Sequence, residues 1–284
     1  MARTRKKKVR QKKVRRGLSA RAEEICRRLG IDEPRHVEIE SKRRVRVADV
    51  SKLRRWLDDQ RDIEHAKTAF FFDQFLDTPR RDLFRRGASL RLRYKNNGAN
   101  VYLQYKGPGF HRDGLLYRSE FSTAPLRHFL RERSDHGIVH LGATRVSDLV
   151  ANHAEPAMAR AMRRHLGARI LSEITSGQAV STYRKEKYAV DLETALLEPS
   201  LDRVFTFNVD PHGVHPLATF CEYENEIKAA GEDLVTKLEH LEELLEFDRR
   251  LCARFRLRSE PLDKYHRCLS FFISPKGAKK RFKR

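Results

Sequence analysis

Charged side chains alternate with apolar ones in several segments of this chain, and this alternation restricts the fold more than any other feature. Glu38, Glu40 and Lys42 occupy every second position of one segment, so an extended chain places all three on one side. The pattern recurs at Arg91 and Arg93, Lys106, Arg118 and Glu120, and Glu222, Glu224 and Glu226. Several strands that each carry a charged row indicate a cavity lined by charge.

The apolar rows of the same strands predict what lies outside that cavity. Residues 49–60 and 234–257 carry leucines and valine at helical spacing, and such amphipathic helices need an apolar surface to cover. In most antiparallel sheets the charged face meets water. If helices cover the apolar face instead, the charged face points inward and the sheet closes around it. We therefore predict an α+β fold, an eight-stranded antiparallel β-barrel with helices packed on the outside.

The two ends of the chain differ in composition from its body. Ten of the first sixteen residues and six of the last nine are Lys or Arg, so the ends hold most of the net charge of +21. Without an apolar pattern, residues 1–17 and 275–284 are predicted to be disordered basic tails. They would make weak contacts with nucleic acid or polyphosphate, or act only as solubilising arms.

The tunnel domain is predicted to span residues 18–274, beginning with a short helix over residues 18–30. Residues 125–174 have helical spacing without charged rows of the strand type, so we expect a helical insertion outside the cavity. The four cysteines form no zinc-type spacing and are interpreted as reduced thiols. No apolar run resembles a membrane span or a signal peptide, which predicts a cytoplasmic protein with no membrane contact. The oligomeric state is left open.

The charged rows also predict a chemistry. Carboxylates clustered in one bore repel each other unless cations neutralise them, and ligand sets made only of oxygen favour Mg²⁺ or Mn²⁺. The opposite wall carries guanidinium and ammonium groups suited to several phosphoryl groups. Metal on one wall and basic side chains on the other predict a site that holds a triphosphate or a polyphosphate.

Several motifs resemble, in order, those of the CYTH domain, the family of class IV adenylyl cyclases and thiamine triphosphatases among the triphosphate tunnel metalloenzymes. They are Glu38-Ile39-Glu40-Ser41-Lys42, Asp77-Thr78-Pro79, the segment 87–93 with its Leu-Arg-Leu-Arg end, Lys106-Gly107-Pro108, Val190-Asp191-Leu192-Glu193 and Glu222-Tyr223-Glu224. The resemblance spans residues 37–264. It implies an eight-stranded antiparallel tunnel that binds a triphosphate and divalent metal ions.

The resemblance also implies roles for individual residues. Catalysis is expected from Glu38, Glu40 and Lys42. The metal ligands implied are Glu38, Glu40, Asp191, Glu222 and Glu224, with Glu226 as a further candidate. The phosphate contacts implied are Lys42, Arg91, Arg93, Lys106, Arg118 and Lys185, with Arg184 as the alternative to Lys185 and Lys264 as an additional contact.

The function expected is that of a metal-dependent triphosphatase acting on inorganic triphosphate or a related triphosphate, because no purine-recognition feature is legible. Three alternatives stay open. The first is an adenylyl cyclase or a nucleoside or RNA triphosphatase. The second is a polyphosphate-binding protein without catalysis, and the third is an RNA-binding protein that depends on its basic ends.

Overall fold

The computed structural model describes residues 2–96, 98, 100–126, 134, 137–210 and 212–273. The strands found there are β1 (Val37–Val45), β2 (Glu64–Asp77), β3 (Ser89–Lys95), β4 (Tyr102–Lys106), β5 (Phe110–Arg112), β6 (Leu115–Ser122), β7 (Thr175–Asp191), β8 (Ala195–Asp210), β9 (Gly213–Ala229) and β10 (Arg258–Ser259). The helices are α1 (Ala2–Leu29), α2 (Val50–Asp58), α3 (Asp82–Arg85), α4 (Val146–His153), α5 (Pro156–Glu173), α6 (Leu234–Glu239), α7 (Leu241–Phe255) and α8 (Lys264–Ile273).

Eight antiparallel strands close into a barrel, as the sequence predicts. Their order around the ring is β1-β9-β8-β7-β2-β3-β4-β6, and β6 returns to β1. Strand β1 closes this ring, since Glu38 lies opposite Arg118 of β6 while Lys42 lies opposite Glu224 of β9. The short strands β5 and β10 extend the sheet at β6 and β1. The charged row of β1 therefore lies where the two ends of the sheet meet.

The hydrophobic core lies between the barrel wall and the helices outside it. Leu53 and Leu57 of α2 and Leu244 and Leu251 of α7 are completely buried, together with apolar side chains of the strands. Alternate residues of a strand point to opposite faces. The apolar row of each strand thus meets the helices, and its charged row faces the interior of the barrel.

Two helices between β6 and β7, α4 and α5, cover one side of the barrel. The buried side chains of α5 include Met158 and Met162. His165 joins this helix to its surroundings, because its Nδ1 lies 2.9 Å from the Tyr105 hydroxyl and its Nε2 lies 2.8 Å from the Leu29 carbonyl oxygen. Part of the predicted insertion, residues 127–133, lies outside the described residues.

Three helices differ from the sequence predictions. Helix α1 begins at Ala2 rather than near residue 18, so it includes the basic segment that we expected to be disordered. Lys, Arg, Gln and Ala are good helix formers, which favours extension of the helix from residue 18 toward residue 2. The single helix expected over residues 234–257 is divided into α6 and α7 at His240. Helix α8 was not predicted, and the basic segment 275–284 lies outside the described residues.

Candidate active site

The barrel encloses a charged cavity of about 150 Å³. The residues predicted for the site that line it are Glu38, Glu40, Lys42, Arg91, Arg93, Lys106, Arg118, Lys185, Glu224, Glu226 and Lys264. They come from β1, β3, β4, β6, β7, β9 and α8. The alternation of each strand thus places side chains from distant parts of the chain in one closed space.

One side of the cavity is organised around the Arg118 guanidinium. It donates hydrogen bonds to Glu38 at 2.9 Å, to Glu40 at 2.8 Å and to Asp263 at 3.1 Å. Lys106 donates to Glu38 at 2.7 Å from the neighbouring strand. Burial opposes ionisation of Glu38, but Lys106 and Arg118 outweigh it and hold the Glu38 pKa well below its usual range. Glu38 is therefore an anion that two cations fix in position.

A second cluster contains three carboxylates, Asp202, Glu222 and Glu224, whose oxygens lie within 4.8 Å of one another. Lys264 of α8 enters this cluster, with its Nζ 2.8 Å from Asp202, 2.5 Å from Glu222 and 2.9 Å from Glu224. Lys42 makes a similar contact, with its Nζ 2.7 Å from the Glu224 Oε1 oxygen. Ammonium groups thus supply the positive charge that these carboxylates need.

The donor atoms of this cluster fit a divalent metal ion. Among the residues described, Asp202 Oδ1 and both carboxylate oxygens of Glu222 are buried and accept no hydrogen bond of acceptable geometry. Burial raises the Glu222 pKa. Burial has the same tendency at Glu224, but Lys185 and Lys264 outweigh it and lower the Glu224 pKa well below its usual range. Oxygen ligands with unused lone pairs are those that Mg²⁺ and Mn²⁺ prefer.

A third group fixes the two arginines of β3. The completely buried Asp73 of β2 accepts hydrogen bonds from Arg91 at 3.1 Å and from Arg93 at 2.7 and 2.8 Å. Arg93 also donates to the Tyr183 hydroxyl. Burial works against the charge of Asp73, yet Arg91 and Arg93 lower its pKa. The carboxylate therefore orients both guanidinium groups toward the cavity.

Three predicted residues do not line the cavity: Glu222, which is completely buried in the second cluster, and Asp191 and Arg184, which lie outside the barrel interior. Asp191 is exposed at the last position of β7, on the same face as Lys185 but beyond the charged interior. Arg184 is exposed on the opposite face of β7, where it lies 3.1 Å from Glu186. The structure thus places Lys185, and not Arg184, toward the interior. It places Asp202, and not Asp191, beside Glu222 and Glu224.

Glu226 lines the cavity one step beyond Glu224 along the same face of β9. Burial, with the nearby Glu38 and Glu120 carboxylates, raises its pKa to about 8, although Lys228 opposes the shift. Glu226 differs in this from Glu224, which three ammonium groups surround. The surroundings of the two glutamates thus shift their pKa values in opposite directions.

Sequence reasoning missed Asp73, Asp202 and Asp263. Each is a single acid without an acidic neighbour two positions away, so the alternation that marks Glu38 and Glu40 is absent. Asp73 had a usable signal, because it stands alone among four phenylalanines in residues 70–75 and faces the strand of Arg91 and Arg93. Asp263 precedes a helix that we had not predicted.

A family model of the CYTH domain matches residues 36–255 of the chain. The chain belongs to the CYTH family. This confirms the resemblance drawn from the motifs, and CYTH tunnel enzymes use divalent metal ions, in keeping with the acidic cluster. No curated protein sequence matches this CYTH protein.

Solved structures include proteins of similar fold. HpAC1 from Hippeastrum, assigned as an adenylyl cyclase and described as having a dominant triphosphatase activity, is 20% identical with a TM-score of 0.53; the match covers 82% of this CYTH chain and 95% of HpAC1. A Bacillus halodurans protein assigned as an adenylate cyclase is 17% identical, with a TM-score of 0.42 and coverage of 81% and 96%. The Mimivirus capping enzyme triphosphatase is 11% identical, with a TM-score of 0.40 and coverage of 83% and 97%.

In the part of the chain that the structure describes, no helix is long and apolar enough to cross a bilayer.

Proposed function

We propose that this CYTH protein is a metal-dependent triphosphatase that hydrolyses inorganic triphosphate or a closely related triphosphate. The observation that supports this most is the division of the barrel interior. One region holds the carboxylates Asp202, Glu222 and Glu224, and the surrounding wall holds arginines and lysines from six strands and α8. Such a division suits a ligand made almost entirely of phosphate.

The basic residues would bind the ligand and stabilise the leaving group. Arg91 and Arg93, oriented by Asp73, and Lys106 and Lys185 would hold phosphoryl oxygens. In the reaction a water oxygen bonds to the terminal phosphorus, the bridging P–O bond breaks, and pyrophosphate leaves with the negative charge. The fixed cations neutralise that charge without reorganising, which is the main catalytic term in phosphoryl transfer.

The acidic residues would hold the metal. We assign Asp202, Glu222 and Glu224 as the first set of ligands, while Glu38, Glu40 and Glu226 stay candidates for a second. The bound ion would neutralise phosphate charge and make a water molecule more nucleophilic. Lys264 would then give up its place among the carboxylates and become free to contact phosphate.

The cavity favours a small inorganic substrate over a nucleotide. Its uncharged lining side chains are Phe71, Phe75, Ser89, Tyr183, Ser200 and Tyr265. None of these described residues is an amide that could read the edge of a base. HpAC1, a fold relative assigned as a cyclase and described as having a dominant triphosphatase activity, is consistent with a triphosphatase.

The test is phosphate release from tripolyphosphate, ATP and thiamine triphosphate, each with Mg²⁺ and with Mn²⁺. We expect tripolyphosphate to be hydrolysed fastest, and we expect Glu40→Gln, which keeps the shape but removes the charge, to abolish release. Glu246→Gln is the matched control, because Glu246 is exposed and its one ion pair among the described residues is with Arg249. Unchanged turnover by Glu40→Gln would refute the proposal.

Two other outcomes would replace it. Cyclic AMP and pyrophosphate formed from ATP would identify a cyclase. Tight binding of every triphosphate with no turnover in either metal would identify a polyphosphate-binding protein.

A further inference from the structure

A second and larger cavity lies outside the barrel. We name it the arginine groove. It has a volume of about 1230 Å³ and lies between the end of β1, helix α2, the C-terminal turn of α7 and strand β10. Its lining contains eight Lys or Arg residues and two Asp residues. This is a concentration of positive charge in one concave surface, separate from the tunnel.

Four arginines of the groove are exposed and make no ion pair within 4.0 Å in the described structure. They are Arg55, Arg254, Arg256 and Arg258. Of the two Asp residues that line the groove, Asp49 accepts from Arg46 at 2.6 Å, while Asp59 makes no ion pair within 4.0 Å in the described structure. The neighbouring Glu260 accepts from Arg44 at 2.7 Å. The excess positive charge is therefore not neutralised by the protein.

Arginines on another surface of the molecule contrast with this arrangement. Around α5, Arg160 and Arg164 lie 3.3 and 3.1 Å from Asp32, and Arg80 pairs with Glu173 at 2.5 Å. Those arginines have carboxylate partners, as is usual in a basic protein. The four exposed groove arginines, Arg55, Arg254, Arg256 and Arg258, have no such partner within 4.0 Å among the described residues, although like charges brought together repel each other. A ligand that carries several negative charges would relieve this repulsion.

The side chains of the groove indicate which anion it suits. Seven of its eight cations are arginines, whose planar forks match phosphate oxygens better than an ammonium does. Its remaining lining is mostly apolar, with Trp56, Phe255 and Leu257 half-buried. No Asn or Gln side chain is among the described residues that line it, so the amides that would read an adenine edge are missing from this part.

Helix α8 separates the groove from the tunnel. Lys264 at its start faces the tunnel carboxylates. Arg267, one turn later, lies over the Phe220 ring at 3.8 Å from its centroid and lines the groove. Two cavities of different size thus flank one helix. The groove, at about 1230 Å³ against about 150 Å³, leaves more room for a long phosphate chain than the tunnel cavity does.

We propose that the arginine groove binds inorganic polyphosphate chains at a site distinct from the tunnel. The interaction is electrostatic, with arginine forks on successive phosphates, and it does not require turnover. This inference does not rest on the triphosphatase proposal, because a groove that binds a phosphate chain needs no catalysis in the tunnel.

The test measures binding of polyphosphate of defined chain length to the full-length protein in EDTA, by isothermal titration calorimetry. The variant Arg254→Gln/Arg256→Gln/Arg258→Gln removes three groove charges. The matched control Lys95→Gln/Arg145→Gln/Arg163→Gln removes three exposed charges that line neither cavity. We expect the groove variant to bind at least about tenfold more weakly, because three charge-assisted contacts are lost, and the control to change less than about twofold.

Salt dependence gives a second readout. Each phosphate contact of a single-stranded polyanion contributes about 0.7 to the slope of log K against log salt. Three lost contacts should therefore lower the slope by about 2 in the groove variant and leave it unchanged in the control. Tripolyphosphate hydrolysis, measured separately, reports on the tunnel, so loss of groove binding with normal hydrolysis separates the two sites.

Two results would overturn the inference. One is equal binding by the groove variant and the control. The other is that an oligonucleotide with the same number of phosphates binds wild-type protein as tightly as polyphosphate does. If the triple variant does not fold, as judged by circular dichroism, Lys52→Gln/Arg55→Gln on the exposed side of α2 replaces it, and undiminished affinity in that variant also overturns the inference.

Discussion

The Asp73 carboxylate offers the sharpest test of how the tunnel cations are held. It is completely buried and accepts three hydrogen bonds from Arg91 and Arg93. Asp73→Asn keeps the shape but removes the carboxylate that pairs with the partly buried Arg93 and with the buried Arg91, which keeps Glu120 at 3.7 Å. Removing one partner of a buried ion pair costs about 3–5 kcal/mol, so we expect the free energy of unfolding to fall by that amount.

A bound triphosphate should offset part of this loss. The ligand brings negative charge to the same guanidinium groups, so it replaces the charge that Asp73→Asn removes. Saturating tripolyphosphate in EDTA should therefore stabilise the variant more than the wild type. At a ligand concentration of 100 times Kd the stabilisation of either protein is about 2.7 kcal/mol, and comparison at equal free ligand reveals any difference in affinity.

Urea denaturation followed by circular dichroism, with and without tripolyphosphate, measures both effects. Glu246→Gln, which breaks an exposed pair with Arg249, serves as the control and should cause no measurable loss. A loss below about 1 kcal/mol for Asp73→Asn, in the usual range for surface changes, would show that the carboxylate does not hold the arginines. Equal stabilisation of both proteins by the ligand would show that the arginines do not bind phosphate.

Three further expectations follow from the same geometry. Asp202→Asn should reduce metal-dependent phosphate release by about 100-fold or more, since even indirect partners of a metal change activity by about 10–100-fold, whereas Asp191→Asn should leave it within about twofold; equal effects would contradict the assignment. Lys264→Gln should tighten Mn²⁺ binding by about tenfold or more in calorimetry without substrate, because the substitution removes a positive charge that repels the metal ion at the carboxylates. Weaker binding would contradict the assigned metal site. Burial opposes protonation of His266, but Asp263 outweighs it and raises the His266 pKa. The pair therefore contributes its full stabilisation of the fold below about pH 6.5, the usual His pKa. That contribution is lost as pH rises through the raised pKa. His266→Asn should remove that decline in unfolding titrations, and an unchanged decline would show that another group causes it.

The alternation of side chains predicts the barrel and the faces of its strands, because period two is a property of the extended backbone. It distinguishes Lys185 from Arg184 for the same reason. The alternation does not show, however, whether a residue's position along the strand lies inside the barrel or at its end. Asp191 and Lys185 share a face, but Asp191 lies at the strand end, in solvent.

Contacts between distant strands are harder to obtain from one sequence. Asp202 lies on β8 opposite Glu222 of β9, and only this pairing brings it to the acidic cluster. The surrounding segment contains Leu201, Arg203 and Val204 and has no acidic row, so nothing local marks Asp202. Lys264 reaches the cluster through the packing of α8, which depends on the finished barrel.

The closing strand β1 has a consequence for the folding of this protein. Its first half pairs with β6 and its second half with β9, which are far apart along the chain. Pairing between distant segments carries a large cost in loop entropy and slows folding. The ion pairs of Glu38 with Arg118 and of Lys42 with Glu224 connect β1 to exactly those two neighbours. The tunnel charges therefore meet only when both pairings of β1 have formed, and a chain in which either pairing is open has neither a closed sheet nor a complete site.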